Sequence, residues 1–132
     1  MRVLDRLLGD WEFTMQHPAV AGPVSGRQRY EWVLDGAFIL QYWTYAHPDF
    51  PDAMALLSHD QYHYFDVRGI VRIFELQINV EGWSMIHLDP DFAQRSTSRF
   101  QERDILETTG EQSQDGGVSW QSDFAMICRR LN

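Results

Sequence analysis

Trp11, Phe13 and Met15 alternate with Glu12, Thr14 and Gln16, which in an extended strand turns the first set toward a core and the second toward water. Just before them Val3, Leu4, Leu7, Leu8 and Trp11 recur at helical spacing, with Asp5, Arg6 and Asp10 on the other side. That spacing predicts one or two helical turns stopped at Gly9. The stretch Leu7-Leu8-Gly9-Asp10-Trp11-Glu12-Phe13 thus joins a short plug to the first strand, and the rest of the chain is organised around it.

Residues 18–26 contain two prolines, two glycines and a serine and are expected to form a loop. Beyond them Gln28, Tyr30, Trp32 and Leu34 alternate with Arg27, Arg29 and Glu31, with the first group facing inward. Asp35-Gly36 then supplies a two-residue turn favouring positive φ, so residues 30–45 predict a long hairpin. Pro48 and Pro51 interrupt the ladder after His47, because proline has no N–H to donate. Further strands are expected over residues 54–59, 62–67, 70–78, 83–88, 93–100, 105–113 and 120–130, with tight turns at Arg68-Gly69 and Asp115-Gly116-Gly117. No helical stretch of useful length follows Gly9. About ten short strands joined by tight turns predict an all-β chain, a closed antiparallel up-and-down barrel that removes exposed sheet edges. A single domain spans residues 1–132.

Composition narrows the partners. The 132 residues suffice for one domain with a substantial core. A net charge of −8 argues against nucleic acid and anionic membrane, which both require a basic face. Cys128 is the single cysteine, so no intramolecular disulfide can form and a reducing compartment is expected. The segment Met1-Arg2-Val3-Leu4-Asp5-Arg6 has no uninterrupted apolar run and reads as neither signal peptide nor membrane span, which places the protein in the cytoplasm as an expectation.

No motif settles the chemistry. Cys-x-x-Cys, His-Glu-x-x-His, Gly-x-Ser-x-Gly and a glycine-rich phosphate loop are all lacking. His59 and His63 bracket a turn with Asp60 between them and Asp66 beyond, and two imidazoles with a carboxylate could bind a metal or shuttle protons. Polar turn chemistry explains them more simply, so no metal site and no catalytic residue is assigned. His17 and His47 are expected in loops at the barrel mouth, and His87 on a strand. Tyr30, Trp32, Tyr42, Trp43, Tyr45, Tyr62 and Tyr64 form an aromatic set with polar tips, suited either to a pocket for a flat or amphipathic molecule or to a filled core. On the last strand Trp120, Ser122, Phe124, Met126, Cys128 and Arg130 fall on one inward face. A buried arginine needs a carboxylate, carbonyls or an aromatic face. Stacking of Arg130 over Trp11 to close the barrel floor is preferred to a counter-ion role.

Leu8-Gly9-Asp10-Trp11-Glu12, Glu31-Trp32-Val33-Leu34-Asp35-Gly36-Ala37-Phe38, Tyr64-Phe65-Asp66-Val67-Arg68-Gly69, Ala93-Gln94-Arg95 and Asp115-Gly116-Gly117-Val118-Ser119-Trp120 with Arg130 follow one another in an order that resembles a bacterial family of unknown function with a lipocalin-like, or calycin, barrel. The resemblance implies a closed barrel in which Trp11 and Arg130 pack together, and implies no activity. Cys128 and Gly110 stand where the resemblance leads one to expect bulkier residues, and both are expected to enlarge the interior.

The expected function is a non-enzymatic carrier or sensor of a small apolar or amphipathic ligand, with no cofactor and a homodimer left open. Tyr30, Trp32, Trp43, Phe124 and Met126 would line the site, and His59, His63 or Gln94 would orient a polar group. Two rivals are a haem-binding barrel resembling nitrobindin with an axial histidine, and an enzyme using a histidine paired with Asp66 or Glu75 as general base.

Overall fold

The computed structural model describes residues 2–131, and the inward position expected of Val3 lies outside the described side chains. A single 3-10 turn (Arg2–Leu7) precedes ten strands: β1 (Gly9–Gln16), β2 (Val24–Val33), β3 (Phe38–Tyr45), β4 (Ala53–Leu57), β5 (Gln61–Asp66), β6 (Val71–Asn79), β7 (Gly82–His87), β8 (Ala93–Glu102), β9 (Ile105–Ser113) and β10 (Gln121–Arg130). Each strand pairs antiparallel with its neighbours in sequence, and β1 also pairs with β10, closing the barrel. Among the described residues no helix is long and apolar enough to cross a membrane.

The 3-10 turn stoppers one end. Leu4, Leu7 and Trp11 are fully buried there, and the Trp11 indole N–H donates to the Leu7 carbonyl at 2.6 Å. Trp11 faces Arg130 directly across the β1–β10 seam, and the guanidinium lies 4.3 Å from the centre of the indole. Its Nε donates to Asp104 at 2.8 Å, and its two terminal nitrogens donate to the carbonyls of Leu8 and Arg6. Removing an indole from water is worth roughly 4–6 kcal/mol as an upper bound, against about 2 kcal/mol for a desolvated cation–π contact. Burial of Trp11 is therefore the larger effect, and Arg130 fixes the seam and caps the carbonyls.

Three local expectations are corrected. Strand β2 starts at Val24, not after Gly26; Gly26 sits within the ladder opposite Phe13, and its lack of a side chain leaves room for that ring. A Cβ on Gly26 would come within 2.1 Å of the Phe13 ring. The β2–β3 turn has four residues, not two. Leu34, Asp35 and Gly36 all take positive φ (52°, 57° and 81°), and the strand has ended before Leu34, which is exposed rather than inward. In β10 the register shifts between Ser122 and Phe124. This bulge leaves Asp123 without a partner on β9 and breaks the simple alternation above Phe124. Phe124, Met126, Cys128 and Arg130 keep the inward phase, while Ser122 is exposed and Trp120 precedes the strand.

Cys128 and Gly110 do not enlarge the interior. Gly110 faces Phe124 across the ladder, and a Cβ there would meet that ring at 2.2 Å, so the aromatic already fills the space. Cys128 is fully buried, its Sγ accepts from Gln28 Nε2 at 3.2 Å, and burial pushes the thiol up to about 12, although the Gln28 bond pulls the other way.

Two outcomes follow for the floor and the seam. Arg130→Lys keeps a charge but loses the planar fork that serves Asp104 and two carbonyls at once. It should lower stability by about 1–3 kcal/mol in urea denaturation with unchanged slope. The Cys128 thiol should react with a disulfide reagent slowly in the native state and fast in denaturant. Because its folded pKa lies above the ordinary value of about 8.5, its contribution is complete below that pH and is lost as pH rises toward about 12. Urea midpoints should accordingly fall across that range, and less steeply in Cys128→Ala.

A candidate ligand cavity

The closed floor and the open ends of the strands leave a cavity of about 430 Å³ inside the barrel, in the size range of small-molecule sites. Its bottom is polar. The Tyr62 hydroxyl donates to Gln41 Oε1 at 2.7 Å, Gln41 Nε2 donates to Gln28 Oε1 at 3.1 Å, and the Tyr30 hydroxyl donates to the same oxygen at 3.4 Å. All four side chains are buried and line the cavity. Burial raises the Tyr30 and Tyr62 pKa values well above the ordinary phenol range, so both stay neutral. Each hydroxyl has given its proton to a glutamine and keeps oxygen lone pairs for a donor on a guest molecule.

Above this layer the wall is apolar and aromatic, with Met15, Trp43, Phe74, Met85, Phe124 and Met126. Trp43 is fixed by its N–H to the Tyr45 hydroxyl at 3.2 Å and by the Tyr64 ring 5.8 Å away.

The rim is charged, and most of its charges are already matched. Asp66 accepts from Arg68 at 2.6 and 3.1 Å and from the Tyr64 hydroxyl at 2.7 Å. Burial alone would raise the Asp66 carboxyl, but those bonds outweigh it and bring it down to about 2. Burial and the adjoining carboxylate both raise the Tyr64 phenol. Arg95 pairs with Glu111 at 2.9 Å and lies 4.1 Å over Trp120. Asp123, turned inward at the β10 bulge, faces His17 Nε2 at 3.3 Å. His17 Nδ1 accepts from the Ala19 amide at 3.0 Å, so in the neutral ring the proton sits on Nε2, toward Asp123. Arg72 donates to Gln94 Oε1 at 3.2 Å.

Of the residues expected at the site, Tyr30, Trp43, Gln94, Phe124 and Met126 line this cavity. Trp32, His59 and His63 do not. Trp32 lies at the floor, donating to Asp5 at 2.9 Å. His59 is exposed in the β4–β5 turn beside Asp60, at the floor end of the barrel. His63 alternates with buried Tyr62 and points outward, against Gln61. The general-base pairs expected with Asp66 or Glu75 do not form: Asp66 is held by Arg68 and Tyr64, and Glu75 is exposed on the outer face of β6. No group of three His, Cys, Asp or Glu side chains suited to a metal occurs among the described residues. Pattern reading passed over Gln28 and Gln41, polar residues on inward phases, and Arg72, which shares its phase with Phe74 and Leu76. Asp123 left no signal, because nothing in the sequence announces the bulge.

No protein-family model and no curated protein matches the chain at the sequence level. Solved structures do share its shape. It is similar to Rv2717c from M. tuberculosis (TM-score 0.75, 16% identity, covering 99% of this chain and 96% of that one). It is also similar to the S-type phycobiliprotein lyase CPES from Guillardia theta (TM-score 0.66, 10% identity, covering 99% and 92%). A protein of unknown function from the DUF3598 family of Nostoc punctiforme aligns as well (TM-score 0.57, 12% identity, covering 97% of this chain and 49% of that one). At these identities the likeness shows the fold, a closed ten-stranded antiparallel barrel of the kind these proteins share.

Proposed function

We propose that the barrel binds one small amphipathic molecule, with its apolar body in the aromatic waist and a hydrogen-bonding end against Tyr30 and Tyr62. The observation that carries this reading is the hydrogen-bonded Tyr62–Gln41–Gln28–Tyr30 chain at the base of an otherwise apolar cavity. A filled core gains little from two glutamines, since even fully matched buried polar groups are about neutral in stability against apolar side chains of the same shape. Here the group is matched before any guest arrives, and no buried side-chain nitrogen or oxygen lacks a partner among the described residues. The site is therefore preformed, which lowers the ordering cost of binding. The phycobiliprotein lyase among the structural neighbours shares the shape of the barrel, and its low identity carries no reaction across.

A haem reading rests on His17, which lines the cavity. Axial bonding through Nε2 would have to displace the Asp123 contact at 3.3 Å, which weighs against it.

Both readings are tested on the purified protein. The uncharged fluorophore N-phenyl-1-naphthylamine should bind with one-to-one saturation, and Met126→Trp, which fills the waist, should abolish uptake at a stability cost of about 1–3 kcal/mol. Binding unchanged by Met126→Trp would place the probe elsewhere and defeat the reading. Hemin should give no Soret shift that depends on His17; a shift lost in His17→Ala would establish the rival.

A further inference from the structure

We propose that Arg72 is the counter-ion for an anionic group, a carboxylate or sulfonate, on the molecule held in the cavity. The inference rests on the cavity being a ligand site and adds the charge class of the ligand.

Three arginines line the cavity, Arg68, Arg72 and Arg95. Two are spoken for: Arg68 by Asp66 at 2.6 Å and Arg95 by Glu111 at 2.9 Å. Arg72 has no carboxylate within 4 Å among the described residues. Among the described residues its one side-chain hydrogen bond goes to the neutral oxygen of Gln94, which leaves most of the five donors of its fork to other partners. Phe92, with its ring centre 5.4 Å from the guanidinium, adds a weakly attractive face and no negative charge.

The position is also deliberate in the strand pattern. Arg72 shares the inward phase with Phe74 and Leu76 on β6, and its cross-strand neighbour on β5 is the cavity-lining Tyr64. A half-buried cation on an apolar face is costly unless something matches it. The other rim acids are engaged elsewhere: Asp123 faces His17, and Asp49 is largely exposed near His47. Asp89, on the loop above, accepts from the amides of Asp91 and Phe92 and reaches Arg72 only through longer-range attraction. In a chain of net charge −8, a locally unmatched guanidinium is what admits an anion to the interior at all. Gln94 holds the fork in place without neutralising it.

Two fluorophores with the same ring body separate charge from shape: uncharged N-phenyl-1-naphthylamine and 1-anilinonaphthalene-8-sulfonate. In titrations of the intact protein, Arg72→Gln should weaken the sulfonate probe about tenfold or more and the neutral probe less than twofold. Arg99→Gln, which removes an equal charge from an exposed position on β8, should leave both probes unchanged. If Arg72→Gln folds poorly, Arg72→Lys carries the test, with a loss of several-fold on the sulfonate alone, because a lysine cannot reproduce the fork. Equal weakening of both probes by Arg72→Gln or Arg72→Lys would make Arg72 a structural residue and overturn the proposal. Unchanged sulfonate affinity would overturn it while leaving the cavity reading intact. Failure of the wild-type protein to take up either probe would overturn the cavity reading and this inference with it.

Discussion

The barrel depends on the seam between its first and last strands. An open ten-stranded meander would expose two unpaired edges, and pairing β1 with β10 removes both. That seam joins residues more than a hundred positions apart, so its loop-closure entropy is the largest in the fold. The Trp11–Arg130 pair lies at its floor end. The indole supplies the buried area, and the guanidinium ties β10 to the 3-10 turn through backbone carbonyls and to the β8–β9 turn through Asp104. Everything above inherits its position from that stopper, because the register set there places Met15, Phe124 and Met126 around the cavity.

From bottom to top the interior changes character in layers. A neutral, hydrogen-bonded base gives way to an aromatic and thioether waist, and then to a rim whose charges are mostly paired, Arg72 excepted. Each layer follows from side-chain alternation on several strands at one height, not from any single motif. Polarity is affordable at the base because the two phenols and two amides satisfy one another. At the rim, solvent and opposite charges share the burden.

How much of this was legible in the sequence depended on periodicity. Trp11, Phe13 and Met15 on β1, and Phe124 to Arg130 on β10, alternate strictly, so the closed barrel and its floor could be read directly. Where periodicity broke, reading failed. Leu34 continues the inward phase on paper, but the chain has already turned through three residues of positive φ. Trp32 obeys its phase and still misses the cavity, because phase gives the face of a strand and not the height along it. His59 and His63 drew attention by residue type alone, and neither height nor phase brings them to the interior. Gln28, Gln41 and Arg72 were visible as polar residues on apolar phases, a signal carried by position more than by identity.

The bulge in β10 has a consequence for how such a barrel changes over evolutionary time. Below it, Ala125 to Arg129 stay in step with both neighbouring strands, so the floor is insulated from events above. Above it, the inward set is decided by the number of residues rather than by their kind. Adding or removing one residue exchanges which side chain faces the opening, and does so without repacking the stopper. The upper end of this strand is thus a place where one inserted or deleted residue revises the rim, while the container itself stays as it was.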